Sequence, residues 1–332
     1  MSKPDEASAH KQPIVISQGE PAGIGPEIAV KSFAALGGAV DGRPLRLIGS
    51  PEVFAAAARL CGIAEPDISA AVIDTGQKVR AEPGRPSTDN ATSVLAAIER
   101  GVIACGTGEA AGLVTAPIHK AVLTAAGWGF PGHTEFLAAL TGRARAVMML
   151  ASSDTEPPLR VVPFTIHIAL REVFAKLDAD AIAAVGEVVI GALERDFGCA
   201  APRLAIAGLN PHAGEEGTMG SEDAEIIAPA VSRLRARGLS VAGPLPADTM
   251  FHEDARKTYD AALCMYHDQA LIPIKTLAFW TGVNVTLGLP IVRTSPDHGT
   301  AFGIAGKGVA NEASMIAAIR MAAQIADRRM VP

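Results

Sequence analysis

The chain is expected to fold as an α/β protein with largely parallel sheets. Short β-branched or apolar runs alternate with longer helical segments, a pattern typical of that class. Hydrophobic residues make up 49% of the 332 residues and charged residues 19%, which fits a large core in one large domain or two intimate ones. Neither an internal repeat nor a linker divides the sequence, so its halves are expected to be woven together.

In the first half, the run Ile14–Ile16 predicts a buried strand that leads into a glycine-rich turn over residues 17–28. Pro26 lies in the first turn of the helix that follows, where its missing N–H costs little. Such a turn can present backbone N–H groups to an anion. Its spacing is not G-x-G-x-x-G, so it offers no dinucleotide-binding fingerprint of the usual doubly wound kind, and a tight turn without a ligand is an equal alternative. The further predicted elements are Leu45–Gly49, Pro51–Leu60, Ala71–Ile73, Val94–Ala104 and the strand and turn Gly112–Pro117.

In the second half, a loop rich in glycine precedes Gly132–Glu135, where polar residues open a helix. Polar groups at a helix N-terminus suit contact with an anion, and a simple capped helix start is the alternative. The later predicted elements are a helix over Ala179–Phe197 and strands over Val147–Leu150, Arg160–Thr165, Arg203–Ala207 and Ala261–Met265.

Three histidines, His167, His212 and His267, each follow a short apolar strand-like run. In parallel α/β sheets the ligand crevice lies at the carboxyl ends of the strands. Three imidazoles at three such ends can converge on one divalent metal ion whose open position takes substrate oxygens. The alternative is three unrelated loop or core histidines.

A second candidate group is suited to anions. It combines Lys275, Asn284 and Arg293 with His133 and Thr134 from the earlier loop. Arginine supplies a planar donor fork and lysine a point charge, a combination that recognises phosphate or carboxylate. The alternative for the two cations is that they are exposed charges flanking strands. Since the net charge of the chain is −6, an anion site must be a local cluster, and nothing indicates a nucleic-acid partner.

Several other classes of protein are not supported. The glycine-rich run Gly299–Gly308 is not a P-loop, because Gly308 follows Lys307 where a P-loop has Ser or Thr, and no G-x-S-x-G is present. The N-terminus has no apolar core of the kind a signal peptide needs, and no uninterrupted apolar run approaches the length of a membrane helix. The four cysteines are too far apart for a zinc-finger spacing, so we expect reduced thiols in a cytoplasmic protein.

Together these segments resemble a known family, the 4-hydroxythreonine-4-phosphate dehydrogenases of pyridoxal phosphate biosynthesis. The resemblance spans residue 14 to about residue 310. It is carried by GEPAGIGPEI (19–28), TAPIHK (115–120), GHTEFLA (132–138), LNPHAGEEG (209–217), PADTMF (246–251), YHDQALIPIKT (266–276) and VNVTLGLPIVRTSPDHGTAF (283–302). The run HGTAFGIAGKGVAN is also similar to the cofactor loop of the isocitrate and isopropylmalate dehydrogenase superfamily. Gly303 departs from that pattern, since relatives commonly have Asp there.

The resemblance implies two interwoven α/β/α subdomains of the isocitrate/isopropylmalate dehydrogenase type, with mostly parallel sheets and an active-site cleft between them. Residues 1–130 together with 275–332 would form the cofactor side. Residues 131–274 would form the side that binds metal and dimerises.

The resemblance also implies roles for individual residues. Zinc, magnesium or cobalt would be bound by His167, His212 and His267, the last contributed across a homodimer interface. The substrate would be bound by His133, Thr134, Lys275, Asn284 and Arg293. NAD or NADP would lie along Asp297, His298, Gly299, Thr300, Ala305 and Gly306. The general base is left open among Asp248, Asp268 and Lys275.

The implied reaction is the NAD(P)-dependent oxidation of 4-phosphooxy-L-threonine to a β-keto acid, which decarboxylates to 3-amino-2-oxopropyl phosphate. A paralogous dehydrogenase acting on a phosphorylated four-carbon sugar acid (threonate or erythronate 4-phosphate) or on a dihydrodiol carboxylate is the first alternative. A binding protein for phosphorylated metabolites, without turnover, is the alternative from a different class. A phosphoacyl transferase is disfavoured by the three histidines.

Overall fold

The structure is a computed structural model that describes residues 11–130, 132–142 and 145–330. Its strands are β1 (Ile14–Ser17), β2 (Ala39–Val40), β3 (Arg43–Gly49), β4 (Val72–Asp74), β5 (Gly112–Thr115), β6 (Val147–Ser152), β7 (Leu159–Pro163), β8 (Arg203–Ala207), β9 (Ser240–Leu245), β10 (Ala261–Cys264), β11 (Val283–Leu287) and β12 (Arg293–Pro296). Its α-helices are α1 (Gly25–Ala35), α2 (Pro51–Leu60), α3 (Glu65–Ala71), α4 (Ala91–Gly106), α5 (Lys120–Ala125), α6 (His133–Leu140), α7 (Leu170–Lys176), α8 (Ala179–Arg195), α9 (Ala228–Ala236), α10 (Glu253–Arg256), α11 (His267–Leu277) and α12 (Ala313–Arg329).

The described residues form two compact units. The first draws on Met1–Gly132 and Pro290–Ala326, and the second on His133–Leu289 and Asp327–Pro332. The expected division assigned residues 275–289 to the first unit, whereas here they belong to the second. The physical reason is that α11 packs on β7 and β10, and β11 pairs with β6 along its whole length. The roles expected for the two units stay predictions.

The first unit is built on strands in the order β2-β3-β1-β5-β12, with β4 beside β3. All of its strand pairs are parallel except β2 with β3. β1 lies between β3 and β5 and is buried along its length, which explains why it is a continuous apolar run rather than an alternating one. Helix α4 packs against β1, β3 and β5. The parallel α/β architecture expected from the sequence is confirmed for this unit.

The second unit has the strand order β11-β6-β7-β10-β8-β9. β7, β10, β8 and β9 are parallel neighbours, whereas β6 is antiparallel to both β7 and β11. The core includes Leu159, Val161, Ala205, Ala262 and Cys264 from three of these strands. Because β7, β10 and β8 are adjacent and parallel, the loops that leave their carboxyl ends emerge at one edge of the sheet. This edge positions the candidate site.

Two further observations concern the sequence expectations. Cys61, Cys105, Cys199 and Cys264 are free thiols. In the part of the chain that the structure describes, no helix combines the length and the apolar character needed to cross a membrane.

Candidate active site

The three candidate metal-binding histidines lie on loops at the edge just described. His167 follows β7, His267 follows β10 and His212 follows β8, and the three strands are paired in register. Each histidine therefore occupies the position that parallel α/β sheets commonly use for ligands. His167 and His212 are exposed, and 38% of the His267 side chain is exposed. All three are accessible to a ligand.

Two buried polar side chains fix these loops to one another. The Thr165 hydroxyl donates to the carbonyl of Met265 at 2.8 Å. Gln269 accepts from the Met265 N–H at 2.7 Å and donates to the Gly208 carbonyl at 2.8 Å. Because buried backbone groups must be paired, these bonds determine how the loops after β7, β10 and β8 are spaced. Sequence reasoning missed both residues, since neither stands out without its distant partner.

The imidazoles of His167 and His267 lie side by side, with ring centroids 5.7 Å apart. His267 Nδ1 is 2.7 Å from Asp268 Oδ1, the arrangement by which a carboxylate orients a metal-binding imidazole. Both histidines line one cavity with Ile168, Leu170 and other apolar residues. This donor chemistry fits a divalent metal ion. However, among the described residues no group of three or more His, Cys, Asp or Glu side chains is arranged to hold one. Convergence of the three histidines within a single chain is therefore not observed.

His212 lies in a turn of left-handed backbone. The φ angles of residues 212–216 are 53°, 53°, 81°, 40° and 57°. Such conformations cost on the order of 1–2 kcal/mol per non-glycine residue and tend to cluster at functional sites. The buried carboxylate of Asp223 stabilises the start of this turn, because it accepts from the N–H groups of Leu209 at 2.8 Å and Asn210 at 3.0 Å. Asp223 is a further residue that sequence reasoning missed.

The substrate candidates of the second unit lie on three elements. His133 and Thr134 open α6, Lys275 is in α11, and Asn284 is in β11. Lys275 Nζ lies 5.4 Å from the centroid of the Phe279 ring, a cation–π contact. The buried Oδ1 of Asn284 finds no hydrogen-bond partner among the described residues, as expected of a group that serves a ligand.

Arg293, the substrate candidate of the first unit, begins β12 and is only 2% exposed. Its Nε and Nη2 donate to the Thr115 hydroxyl at 3.2 and 2.6 Å. Burial lowers the pKa of Arg293 to about 9, so a nearby anion would favour its charged form. The alternative reading of Arg293 as an exposed charge is wrong. Thr115 belongs to the TAPIHK run, but its role in holding Arg293 was not predicted.

The candidate coenzyme residues lie on the loop that joins β12 to α12. Ile24 donates its N–H to the Thr300 carbonyl at 3.0 Å, and Asp297 donates its N–H to the Ser314 hydroxyl at 3.2 Å. A Cβ atom added at Gly299 or Gly303 would meet no atom of the described residues within 4 Å, so these backbone faces are open. An open glycine face suits a ligand that needs close approach to the backbone.

Two imidazoles belong to the same neighbourhood of the first unit. The buried Nε2 of His298 has no hydrogen-bond partner within the described residues. His119 contacts the edge of the Phe302 ring at a centroid distance of 4.9 Å. An unsatisfied buried nitrogen beside an open glycine face fits a ligand with polar groups, such as a nicotinamide coenzyme. Ala305 and Gly306 complete the predicted set further along the loop.

The positions of Asp248 and the other predicted base candidates do not single out one of them as the general base. Asp248 is exposed in a 3₁₀ turn, Ala247–Thr249, and Asp268 is 69% exposed beside His267. The general base stays open, and the roles assigned to all of these residues stay predictions.

Comparison with known proteins finds relatives that match this chain over nearly its full length. A family model described as pyridoxal phosphate biosynthetic protein PdxA matches residues 43–322. A 4-hydroxythreonine-4-phosphate dehydrogenase of Paracoccus denitrificans is 53% identical over 96% of this chain and 99% of its own length. The crystal structure of a protein of the same name from Klebsiella pneumoniae is 39% identical, with a TM-score of 0.80, and the match covers 95% of this chain and all of that one.

More distant structures are also similar. A terephthalate 1,2-cis-dihydrodiol dehydrogenase from Burkholderia xenovorans is 29% identical with a TM-score of 0.64, covering 95% of this chain and 98% of that one. A β-decarboxylating dehydrogenase from Thermococcus kodakarensis is 14% identical with a TM-score of 0.50, covering 96% and 83%, and shares the fold alone.

Proposed function

The chain belongs to the PdxA family of pyridoxal phosphate biosynthetic proteins, and from that premise we propose that it oxidises 4-phosphooxy-L-threonine with NAD or NADP as the hydride acceptor. The product would be a β-keto acid that loses CO₂ to give 3-amino-2-oxopropyl phosphate. The observation that carries the proposal is 53% identity over nearly the full length of a dehydrogenase with the corresponding name. At the coarser level, the chain is an oxidoreductase of pyridoxine biosynthesis.

Recognition of the substrate is assigned to the polar residues described above. Lys275 would act as a point charge and Arg293 as a planar fork for the phosphate and carboxylate. The support is that the buried guanidinium of Arg293 is held by Thr115, and that the buried Oδ1 of Asn284 has no hydrogen-bond partner among the residues that the structure describes. His133 and Thr134 at the start of α6 would add hydrogen bonds. Together these groups would fix the carbinol hydrogen toward the nicotinamide.

A divalent ion (zinc, magnesium or cobalt) would be held by His167, His212 and His267, and the loop residues Asp297, His298, Gly299, Thr300, Ala305 and Gly306 would hold the coenzyme. The chemistry that these groups would supply is Lewis acidity at the substrate hydroxyl from the metal and hydride acceptance from the nicotinamide. The chain's own contribution is orientation. With His267 Nδ1–H donated to Asp268, Nε2 is left with a lone pair to offer a metal ion.

We further propose that the enzyme is a homodimer whose active site combines His167 and His212 of one subunit with His267 of the other. Support comes from large apolar side chains that are exposed on the second unit, two of which, Ile168 and Leu170, line the histidine cavity. Those before and within α7 are Ile168, Leu170 and Phe174, and those within and after α11 are Ile272, Leu277, Phe279 and Trp280. Exposed apolar clusters of this kind mark interfaces. A partner on this face would lie next to His267, since Ile168 and Leu170 line the same cavity.

The test is a panel of substrates with purified protein. It should contain 4-phosphooxy-L-threonine, threonate 4-phosphate, erythronate 4-phosphate and a dihydrodiol carboxylate, each with NAD⁺ and NADP⁺ and a divalent metal ion. We expect the largest kcat/KM, by at least about tenfold, for 4-phosphooxy-L-threonine. Failure to reduce either coenzyme with any of these compounds would reject the dehydrogenase. Tight binding without turnover would support a metabolite-binding protein instead.

A dihydrodiol carboxylate is the second candidate substrate, because a dehydrogenase named for such a compound shares 29% identity and the fold. Preference for it in the panel would keep the reaction class and change the substrate.

A further inference from the structure

Helix α1 presents two charged side chains, one turn apart, to the loop that joins β12 to α12. Glu27 is only 3% exposed, and both of its carboxylate oxygens bind backbone N–H groups of this loop. Oε1 accepts from Gly306 at 2.6 Å and Oε2 accepts from Gly308 at 3.0 Å. Hydrogen bonds to an ionised acceptor are stronger than neutral ones, so Glu27 fastens this part of the loop firmly.

Lys31 fastens the next part of the same loop. Its ammonium group donates to the Ala310 carbonyl at 2.6 Å and to the Gly308 carbonyl at 3.4 Å. It also forms an ion pair with Glu312 at 3.2 Å. The two side chains of α1 therefore bind two amides and two carbonyls of this loop and the side chain of Glu312.

The loop needs such contacts to stay ordered because it is rich in glycine. Gly306 and Gly308 adopt positive φ angles of 78° and 67°. Glycine loses more conformational freedom on ordering than other residues, so a glycine-rich loop left alone would sample many shapes. The Glu27 carboxylate accepts from the N–H groups of both glycines and therefore restricts this freedom.

We infer that Glu27 and Lys31 are positioning residues. They would hold the loop between β12 and α12 in its binding-competent conformation when no ligand is bound. The inference rests on the proposed function, which assigns this loop to the coenzyme. The contacts of both side chains described above are with the loop itself. Their effect would be on coenzyme affinity, because a loop that is already ordered loses less entropy on binding.

The experiment compares Glu27→Gln with the matched control Glu52→Gln, an exposed glutamate on α2. Gln keeps the size of Glu but turns an NH₂ group toward one of the two loop N–H groups. Without any ligand, hydrogen–deuterium exchange of peptides covering residues 300–312 should be about tenfold faster in Glu27→Gln than in wild type. The KM for the coenzyme should rise by about tenfold while kcat stays within about twofold. Glu52→Gln should match wild type in both measurements.

Unchanged exchange and unchanged coenzyme KM in Glu27→Gln would overturn the inference. If Glu27→Gln does not fold, as judged by circular dichroism, Lys31→Met takes its place. Its loop exchange should be faster than wild type, and Lys31→Arg should restore it; equal rates in Lys31→Met and wild type would overturn the inference. If the wild type reduces neither NAD⁺ nor NADP⁺, the proposed function fails, and the exchange rates alone decide whether Glu27 and Lys31 order the loop.

Discussion

At the scale of single residues, Asp196 is a buried carboxylate compensated by two arginines. It is 1% exposed at the end of α8 and accepts paired hydrogen bonds from Arg195 and from Arg329. Burial alone would raise the pKa of Asp196, but the hydrogen bonds from the two guanidinium groups outweigh it and leave the pKa below its usual value. The hydrogen bonds between Asp196 and the two arginines therefore stabilise the folded chain only while Asp196 is ionised.

Asp196→Asn should lower the free energy of unfolding by roughly 2 kcal/mol at pH 7, because it removes the charge that two arginines surround. Since the folded-state pKa is depressed, this contribution is present above the unfolded pKa of about 4 and is lost as the pH falls through the folded value. Urea unfolding at pH 7 and pH 3 measures the difference, which should shrink at the lower pH. Asp180→Asn, which breaks an exposed pair with Arg233, serves as the control with little change at either pH. A difference that stayed constant with pH would contradict the assignment.

Arg293 illustrates what a sequence can and cannot indicate about one residue. The sequence shows that residue 293 is an arginine within a segment that resembles the family, and an arginine side chain is suited to bind an anion. Its burial and its contact with Thr115 depend on the pairing of β12 with β5, which brings together residues 178 positions apart. Contacts at such separation leave no local pattern, so the sequence could not distinguish a buried guanidinium from an exposed one.

At the scale of elements, local patterns predicted those elements whose shape follows from nearby residues. The bounds of α2 and β8 were predicted to the residue, because a proline opens the former and an apolar run forms the latter. Helix α11 was missed, since Pro273 lies within it and a proline normally ends a helix. The antiparallel position of β6 was also missed, because strand direction depends on partners far away in the chain.

The left-handed turn that carries His212 places four non-glycine residues at positive φ, and its start is bound by Asp223 from outside the turn. We predict that Asp223→Asn lowers both the thermal midpoint, by several degrees, and the divalent metal content of the purified protein. The reason is that each carboxylate oxygen of Asp223 accepts one N–H, from Leu209 and from Asn210, whereas Asn would turn an NH₂ group toward one of these two donors.

Calorimetry and elemental analysis of the same samples measure the two quantities. The control is Glu225→Gln, an exposed glutamate in the same short π-helical segment, Asp223–Ile227. Normal metal content in Asp223→Asn would show that the turn keeps His212 in place without this carboxylate.

At the scale of the whole molecule, one chain does not bring its three candidate metal ligands together into a complete metal site within the described residues. His167 and His267 are close together, but the described residues contain no group of three possible ligands. The sequence placed the three histidines at equivalent strand ends, and only the resemblance to a family indicated that a second subunit would be needed. Loop position follows from strand order, whereas association between chains depends on surfaces such as the exposed Leu170 and Trp280.

Mixing two inactive variants tests this arrangement. His212→Ala and His267→Ala, re-formed together from unfolded chains, should recover about a quarter of wild-type activity, because about half of the dimers are mixed and each mixed dimer holds one intact site of two. Native mass spectrometry confirms the mixed dimers, and dehydrogenase rates measure the recovery. His212→Ala mixed with His167→Ala is the matched control and should recover nothing, because both ligands come from the same subunit and each site lacks one. Mixed dimers of the first pair without activity would place His212 and His267 in the same subunit and would overturn the proposed division of the ligands between two chains.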